Sequence, residues 1–326
     1  MMKVQLAKQL MQLREVFPSP TGEQVDELQE IFNHPLFTQG SEEKRRAIMH
    51  NSSLAKYQSE MQYPWDHYFG MSLTPWLKGK RALDLGCFTG GRGVAWAERY
   101  GLAHLMGVDV AEPFIAAARE FADSRNAPAE FRLAKAEVLP FENASVDAIL
   151  SFDVFEHVQD VPQALAECQR ILRPGGQLFV VFPSYYQPVE HHLSMVTRCP
   201  GLQYLFSGRT LLKAYCEILN ERGSSADWYR RRSIDLEPWE RGNTINGTTL
   251  AQFRRYIRGG HWLTLRHIRK PIGSIGRNAS KSLLLRGISL LCHPFALLPG
   301  FEEIFLHRIS FILQKAGLPP ADRLTG

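Results

Sequence analysis

The chain lacks an uncharged apolar run of the ~18 residues that a membrane-spanning helix requires. The nearest approach, Ser282 to Pro299, is broken by Arg286, His293 and Pro294, which argues against a span. Paired cysteines are also missing. Cys87, Cys168, Cys199, Cys216 and Cys292 are odd in number and widely scattered, and no two CxxC pairs occur. This spacing argues for free thiols in a reducing compartment and against structural zinc, so no metal site is expected. The first nine residues carry Lys3, Lys8 and glutamines where a secretory signal needs an unbroken apolar stretch. A cytoplasmic location is therefore expected. Internal repeats and low-complexity segments are absent. With 44% apolar and 22% charged residues, the 326-residue chain is long enough to bury a full core, which excludes a disordered tail or a disulfide miniprotein.

Charge is unevenly spread beneath the net +5. Residues 1–183 hold 18 Lys/Arg against 23 Asp/Glu, whereas residues 184–286 hold 17 against 7. A block of net +10 attracts anions, whether a phosphorylated substrate, a nucleic acid or an acidic membrane surface. It is equally readable as a solvated, arginine-rich face, Arg230-Arg231-Arg232 included.

Four regions follow from the patterning. Residues 1–79 read as a helical N-terminal extension: Leu6, Leu10, Leu13 and Phe17 recur at helix spacing, and further helices are expected after Thr21 and Ser41. Tyr57, Tyr63, Trp65, Tyr68, Phe69 and Trp76 follow in a loop-like context, readable as packing for a lid or as a substrate cage. From residue 80 strands and helices alternate. Strands are expected at 81–85, 104–110, 129–134, 146–152 and 177–182, with helices at 91–100, 113–124 and 161–172. Such alternation means right-handed crossovers and a parallel sheet covered on both faces, with ligands at the carboxyl ends of the strands. Residues 184–260 break the alternation and read as an inserted cap. Residues 261–326 supply two more strands, at 262–267 and 304–313. The expected fold is α/β, a Rossmann-like, doubly wound, mostly parallel sheet of seven strands, with residues 80–183 as its core.

The strongest local signal is Leu83-Asp84-Leu85-Gly86-Cys87-Phe88-Thr89-Gly90-Gly91-Arg92-Gly93. Glycines after a first strand permit a tight turn and close approach of backbone N–H groups to a ligand. Asp109 ends the second strand, where a carboxylate can accept both hydroxyls of a ribose, the lesser reading being a cap on the next helix. A carboxylate inside the first turn, Asp84, suits a cationic group and repels a pyrophosphate. Phe88 stands where G-x-G-x-x-G requires its middle glycine, so a nicotinamide-dependent reductase is disfavoured.

On these residues the chain resembles class I S-adenosylmethionine-dependent methyltransferases of the small-molecule type. Asp84-Leu-Gly86-Cys-Phe88-Thr-Gly90 resembles their first motif. Val108-Asp109-Val110, Ala136-Glu137-Val-Leu-Pro140-Phe141, Ser145-Val-Asp147, Glu156-His157-Val158 and Leu172-Arg-Pro174-Gly175-Gly176 follow in the family's order. The resemblance implies S-adenosyl-L-methionine as cofactor. It places Asp84, Gly86, Phe88 and Gly90 at the methionine end, Asp109 on the ribose, Val110, Ala136 and Glu137 around the adenine, and Ser151 and Phe152 near the methyl group. Phe88 departs from the family, which usually has Gly there.

Methyl transfer needs alignment of donor and acceptor more than covalent help. An oxygen acceptor also needs a proton removed, for which His157 is the first candidate and His191 or His192 the second. Each has an ordinary reading beside it: a structural histidine at 157, a surface loop at 191–192, a solvated loop acid at Glu137. The function expected is methyl transfer to a small-molecule, glycan-linked or lipid-linked acceptor, with a hydroxyl oxygen receiving the methyl and an anionic group on the acceptor. Phe88 motivates one alternative, a catalytically silent binding protein. The basic insertion motivates another, a nucleic-acid methyltransferase. Against the latter, Ser151-Phe152-Asp153-Val154 is not the Asn/Asp-Pro-Pro-aromatic signature of base-amino methylation. Residues 282–299 read as a core helix or as one resting peripherally on the inner membrane face.

Overall fold

The computed structural model describes residues 2–15, 41–183, 185–188, 193, 196–221, 246–274 and 282–316. Its centre is one seven-stranded sheet: β1 (Arg81–Leu85), β2 (His104–Asp109), β3 (Ala129–Leu133), β4 (Val146–Phe152), β5 (Leu172–Phe182), β6 (Trp262–Pro271) and β7 (Leu306–Lys315). The spatial order is β3-β2-β1-β4-β5-β7-β6. The first five strands are mutually parallel, and β7 runs antiparallel between β5 and β6. Helices α3 (Gly91–Tyr100), α4 (Glu112–Ser124) and α5 (Val161–Ile171) make the crossovers expected from the alternation.

Both faces of the central strands are buried, so β4, β5 and β7 read as largely apolar runs, whereas the edge strands β3 and β6 are part-exposed. Alternate residues nonetheless enter different layers. On β5, Leu178, Val180 and Phe182 join the core beneath α5 and a helix at Leu250–Gly259. Phe179 and Val181 join the opposite core, with Trp96, Ile115 and Phe121.

The N-terminal region packs in two places. Helix α1 (Met2–Gln12) pairs with α6 (Gly208–Glu221) around Ala7, Met11, Leu211 and Tyr215. Thr197 ties this pair together by donating its hydroxyl to the Met11 carbonyl at 2.7 Å, and Lys8 pairs with Glu221. The expected apolar stripe is displaced: Leu6 and Leu13 are exposed, and the buried face runs through the small Ala7, which permits a close helix crossing. Phe17 and the helix expected after Thr21 lie outside the described residues.

Helix α2 (Glu42–Gln62), by contrast, packs on the sheet domain. Its Ser53 hydroxyl donates to the Thr89 carbonyl at 2.7 Å, inside the glycine turn. A Cβ on Gly91 would stand 1.9 Å from the Ser53 carbonyl oxygen, so glycine at 91 is what lets α2 approach. Of the aromatic residues that follow, Trp65 and Phe69 enter the core and Trp76 packs against it. Trp65 stacks on Trp96 at 4.7 Å, both fully buried, and Phe69 and Trp76 meet Phe179 edge-on at 5.9 and 6.1 Å. Tyr57 lies within α2 rather than in a loop.

After Thr249, helix α7 (Leu250–Gly259) starts on a complete capping box between Thr249 and Gln252. Helix α8 (Leu283–Leu297) occupies the connection between β6 and β7, opened by the Ser282 hydroxyl accepting from the Leu285 N–H. No described helix is long and apolar enough to cross a membrane.

Gly91→Ala is expected to lower stability by about 1–3 kcal/mol, because the added methyl must push α2 off the turn. Gly259→Ala, where nothing lies within 4 Å of the added Cβ, is the control expected to leave stability unchanged or raised. Urea unfolding of the two variants beside the parent checks this.

Candidate functional site

The chemistry gathers where β1, β2 and β4 end side by side. Leu85 is in register with both Val108 and Ser151, so the segments after these strands share one edge of the sheet. The N–H groups of Gly86 and Cys87 both donate to the Val108 carbonyl, each at 2.9 Å, and fold the chain over the end of β2. Gly86 has φ +77°, and a Cβ there would meet Val154 at 2.3 Å, so the turn can be made only with glycine. Gly90 closes the turn, its N–H donating to the Cys87 carbonyl at 2.9 Å.

Two carboxylates are buried in this edge. Asp84, on β1, is 3% exposed, and its Oδ2 has no hydrogen-bond partner among the described residues. Burial pushes its carboxyl up to about 7, against the pull of the Arg92 guanidinium and helped by the negative Asp109 and Glu60. Asp109 is 5% exposed. Its Oδ2 accepts from the Phe88 N–H at 3.0 Å, while Oδ1 is buried without a partner among the described residues. Burial raises its pKa, opposed by backbone N–H donors of Phe88, Val110 and Ala111. An orphaned buried carboxylate oxygen is costly, which marks these two positions as built to receive donors or a cation.

Phe88 holds φ +49°, a left-handed conformation in which a glycine would be unstrained. Its ring lies edge-on to Phe114 at 4.3 Å, in the small cluster of Met49 and Ala111 beside α2 and α4. The side chain is thus held by packing, while its backbone N–H orients Asp109.

Ser151 is fully buried, its hydroxyl without a partner among the described residues. Phe152 stands under the Arg92 guanidinium, 4.0 Å from ring centroid to Cζ, with Tyr68 edge-on at 5.1 Å. Val110 is exposed just past β2, and Ala136 is buried just past β3. Glu137 is engaged by the chain itself: its Oε1 accepts from the N–H groups of Gln159 and Asp160, at 2.9 and 3.2 Å. The carboxylate read as an adenine contact therefore also braces the loop that enters α5.

His157 follows β4 with its Nε2 3.7 Å from the Glu156 Oε1. Glu156 is 5% exposed. Asn246 fastens this loop, donating from Nδ2 to the carbonyls of Phe155 and Val158, each at 2.7 Å. Its own N–H donates to the Glu156 carbonyl at 2.7 Å. His191 and His192 lie outside the described residues. Among the described residues no group of three or more His, Cys, Asp or Glu could hold a metal ion.

Several residues of this edge escape sequence reasoning. Arg308, on β7, reaches Asp153 at 3.4 Å, across more than 150 residues of chain. Glu60, at the end of α2, is buried with its Oε1 accepting from the Trp65 N–H at 2.6 Å. Arg92 could have been singled out, since it sits inside the glycine motif. Arg308 and Glu60 carry no local signal at all.

Asp84 also sets a pH dependence. Its folded-state pKa of about 7 exceeds the ordinary 3.8, so the folded state keeps a proton that the unfolded chain releases. Stability from this group is full below pH ~4 and is lost as pH rises through ~7. Urea midpoints are expected to fall across that window and to fall less in Asp84→Asn. Asp109 and Glu60, both raised by burial, contribute with the same sign, so the slope is reduced rather than abolished.

Comparison with known proteins agrees with this geometry. Residues 83–180 match the family described as "Methyltransferase domain". Demethylmenaquinone methyltransferase of Thermus thermophilus is 39% identical over 105 residues, 32% of this chain and 48% of that protein. Ubiquinone biosynthesis O-methyltransferase of Sinorhizobium medicae is 38% identical over 104 residues, 32% of this chain and 41% of that protein. The chain thus spans about half or less of the length of these curated relatives. Among solved structures, an S-adenosylmethionine-dependent methyltransferase from Mesorhizobium loti superposes with a TM-score of 0.47 at 16% identity, over 73% of this chain and 92% of that one. Residues 83–180, which carry the glycine turn and the parallel part of the sheet, thus match a methyltransferase domain.

Proposed function

We propose that the chain transfers a methyl group from S-adenosyl-L-methionine to a small-molecule acceptor, with a hydroxyl oxygen as the accepting atom. The observation that carries this reading is the pair of buried, orphaned carboxylate oxygens on Asp84 and Asp109, set beside a turn whose Gly86 and Gly90 leave no room for a Cβ. These residues fit the cofactor. Asp109 Oδ1 would accept from the ribose hydroxyls, and Asp84 would face the cationic methionine end. Gly86, Phe88 and Gly90 would border that end through their backbone. Val110, Ala136 and Glu137 would flank the adenine, and Ser151 and Phe152 would line the space beside the reacting carbon. When bound, the cofactor supplies an electrophilic methyl on a sulfonium that is already a good leaving group.

The chain's own residues have two tasks. The first is orientation: the β1, β2 and β4 ends belong to one parallel sheet, and residues fixed on them would hold the cofactor and orient the acceptor toward its methyl group. The second is proton removal. His157 takes the hydroxyl proton of the acceptor, and the adjacent Glu156 carboxylate stabilises the imidazolium that forms. Asn246 fixes the loop that carries both. His191 and His192 are the second candidates for this base.

The names of the relatives support an acceptor of quinone-like or lipid-linked type, and the net +10 of residues 184–286 supports an anionic group on it. A glycan-linked hydroxyl fits the same charge. In this reading residues 80–183 bind the cofactor, residues 1–79 and 184–260 cover it and choose the acceptor, and residues 261–326 complete the sheet. The enzyme would work in the cytoplasm, in contact with the inner membrane face.

Asp109→Ala is expected to weaken S-adenosylmethionine binding ~10- to 100-fold by calorimetry, the loss of charged hydrogen bonds to two hydroxyls. An unchanged dissociation constant in a folded variant overturns the ribose assignment. His157→Ala is expected to lower turnover ~10²- to 10⁴-fold with little change in cofactor affinity. Wild-type turnover would remove His157 as the base and leave the His191-His192 pair. Cell extract incubated with methyl-labelled cofactor and the full chain identifies the acceptor. If calorimetry on the parent chain shows no cofactor binding, the silent binding-protein reading replaces this one.

A further inference from the structure

Helix α8 is built inside out. Of its fifteen residues only Ala296 is buried. Leu283, Leu284, Leu290 and Leu291 are each 73–82% exposed, and Phe295 and Leu297 are nearly half exposed. At 100° per residue these positions, with Gly287 and Pro294, form one continuous arc of roughly 160°. The arc is apolar and faces away from the protein. Scattered exposed leucines need no explanation, but a contiguous face of this kind marks a contact surface.

Charge says what covers it. Residues 282–301 contain no Asp or Glu, while Arg286 and His293 stand exposed along one border of the arc. The acids that follow, Glu302 and Glu303, are buried, and Glu302 is committed to Arg254 and to Arg269 at 3.3 Å. Arg266, on the adjoining edge strand β6, is exposed. One border of the apolar face thus carries the cationic Arg286, with no acid in residues 282–301 to oppose it. A second copy of this chain would bring two such borders against each other, whereas an anionic bilayer offers both the apolar interior and the opposite charge.

Topology says why it is there. β6 is parallel to β5, because each runs antiparallel to β7. β6 therefore ends, and β7 begins, at the same edge of the sheet where β1, β2 and β4 deliver the candidate site. The whole connection between Pro271 and Leu306 leaves from that edge. Phe295 stacks on Phe305 at 5.0 Å, which fastens α8 to the helical turn just before β7.

We infer that α8 is a peripheral docking helix that lies in the plane of an anionic lipid bilayer, with its leucine face in the headgroup–acyl boundary and Arg286 at the phosphates. At 1.5 Å rise per residue the fifteen-residue helix is roughly 22 Å long, too short to span and long enough to lie flat. Docking of this face does not rest on methyl transfer; it would deliver lipid-borne acceptors to the strand ends if the function proposed above holds.

The test is co-sedimentation of the full chain with vesicles of phosphatidylglycerol and phosphatidylcholine against vesicles of phosphatidylcholine alone, beside a Leu290→Glu, Leu291→Glu double variant. Both leucines are exposed, so folding of the variant is expected to be intact, and its unchanged calorimetric affinity for S-adenosylmethionine checks that. The parent is expected to bind the anionic vesicles, to be released by salt, and to bind the neutral ones weakly. The variant is expected to lose roughly tenfold or more in partitioning. A parent that stays in the supernatant with both vesicles overturns the inference. So does equal binding to both, which removes the anionic lipid, or a parent dimer by light scattering that the variant splits, which assigns the face to a second copy. Vesicle binding by a chain that binds no cofactor would leave docking intact and overturn the proposed function instead.

Discussion

The structure turns on the desolvation of two carboxylates. Asp84 and Asp109 sit at the ends of neighbouring parallel strands, in the one part of the sheet where the chain must reverse at once to start a helix. Taking an ionised carboxylate out of water costs several kcal/mol unless something replaces the water. Here only part of the replacement is made by the protein: the backbone N–H groups of Phe88, Val110 and Ala111 serve Asp109, and Arg92 lends its charge to Asp84 from a distance. The remaining demand is what a hydroxylated, positively charged ligand would meet. Everything nearby serves to keep that demand in place: glycines that let the turn close, α2 pressed on the turn through Gly91, and buried aromatic residues that hold α2 down.

Much of this architecture was legible from the residues. β1, α3, β4 and the beginning of α5 coincide with the ranges read from alternation, because each is bounded by a chemical signal: a glycine cluster, Gly101, the Asp153 turn, or Asp160 followed by Val161 and Pro162. The candidate cofactor residues were legible for the same reason, lying within a few positions of strand ends. The misses have one cause. Contacts that join distant segments leave no local trace, so the Arg308–Asp153 pair and the burial of Glu60 could not be read. The α1 face was misjudged because a helix presents several apolar stripes, and the partner, α6, decides which one is buried. Likewise a sequence that reads Leu-Leu-Leu-Arg-Gly-Ile-Ser-Leu-Leu is equally suited to a core and to a surface until its neighbours are placed.

The charge asymmetry gains a spatial meaning from the fold. The acidic half of the chain builds the sheet and its crossovers, and its buried acids face the cofactor edge. Of the basic half, Arg254, Arg255 and Arg258 lie on α7 and Arg266 and Arg269 on β6, the outermost strand. Arg254 and Arg269 share the buried Glu302, while Arg255, Arg258, Arg266 and Arg286 are exposed.

The hydrogen bonds of Asn246 have an evolutionary corollary. Chain leaves the sheet at Phe182 and is caught again by Asn246 on the loop after β4, so departure and return both occur at the same rim. Whatever lies between those anchors can lengthen, shorten or be exchanged without moving a single strand. A fold arranged this way can retarget its chemistry by swapping one cassette while the nucleotide-handling half stays constant.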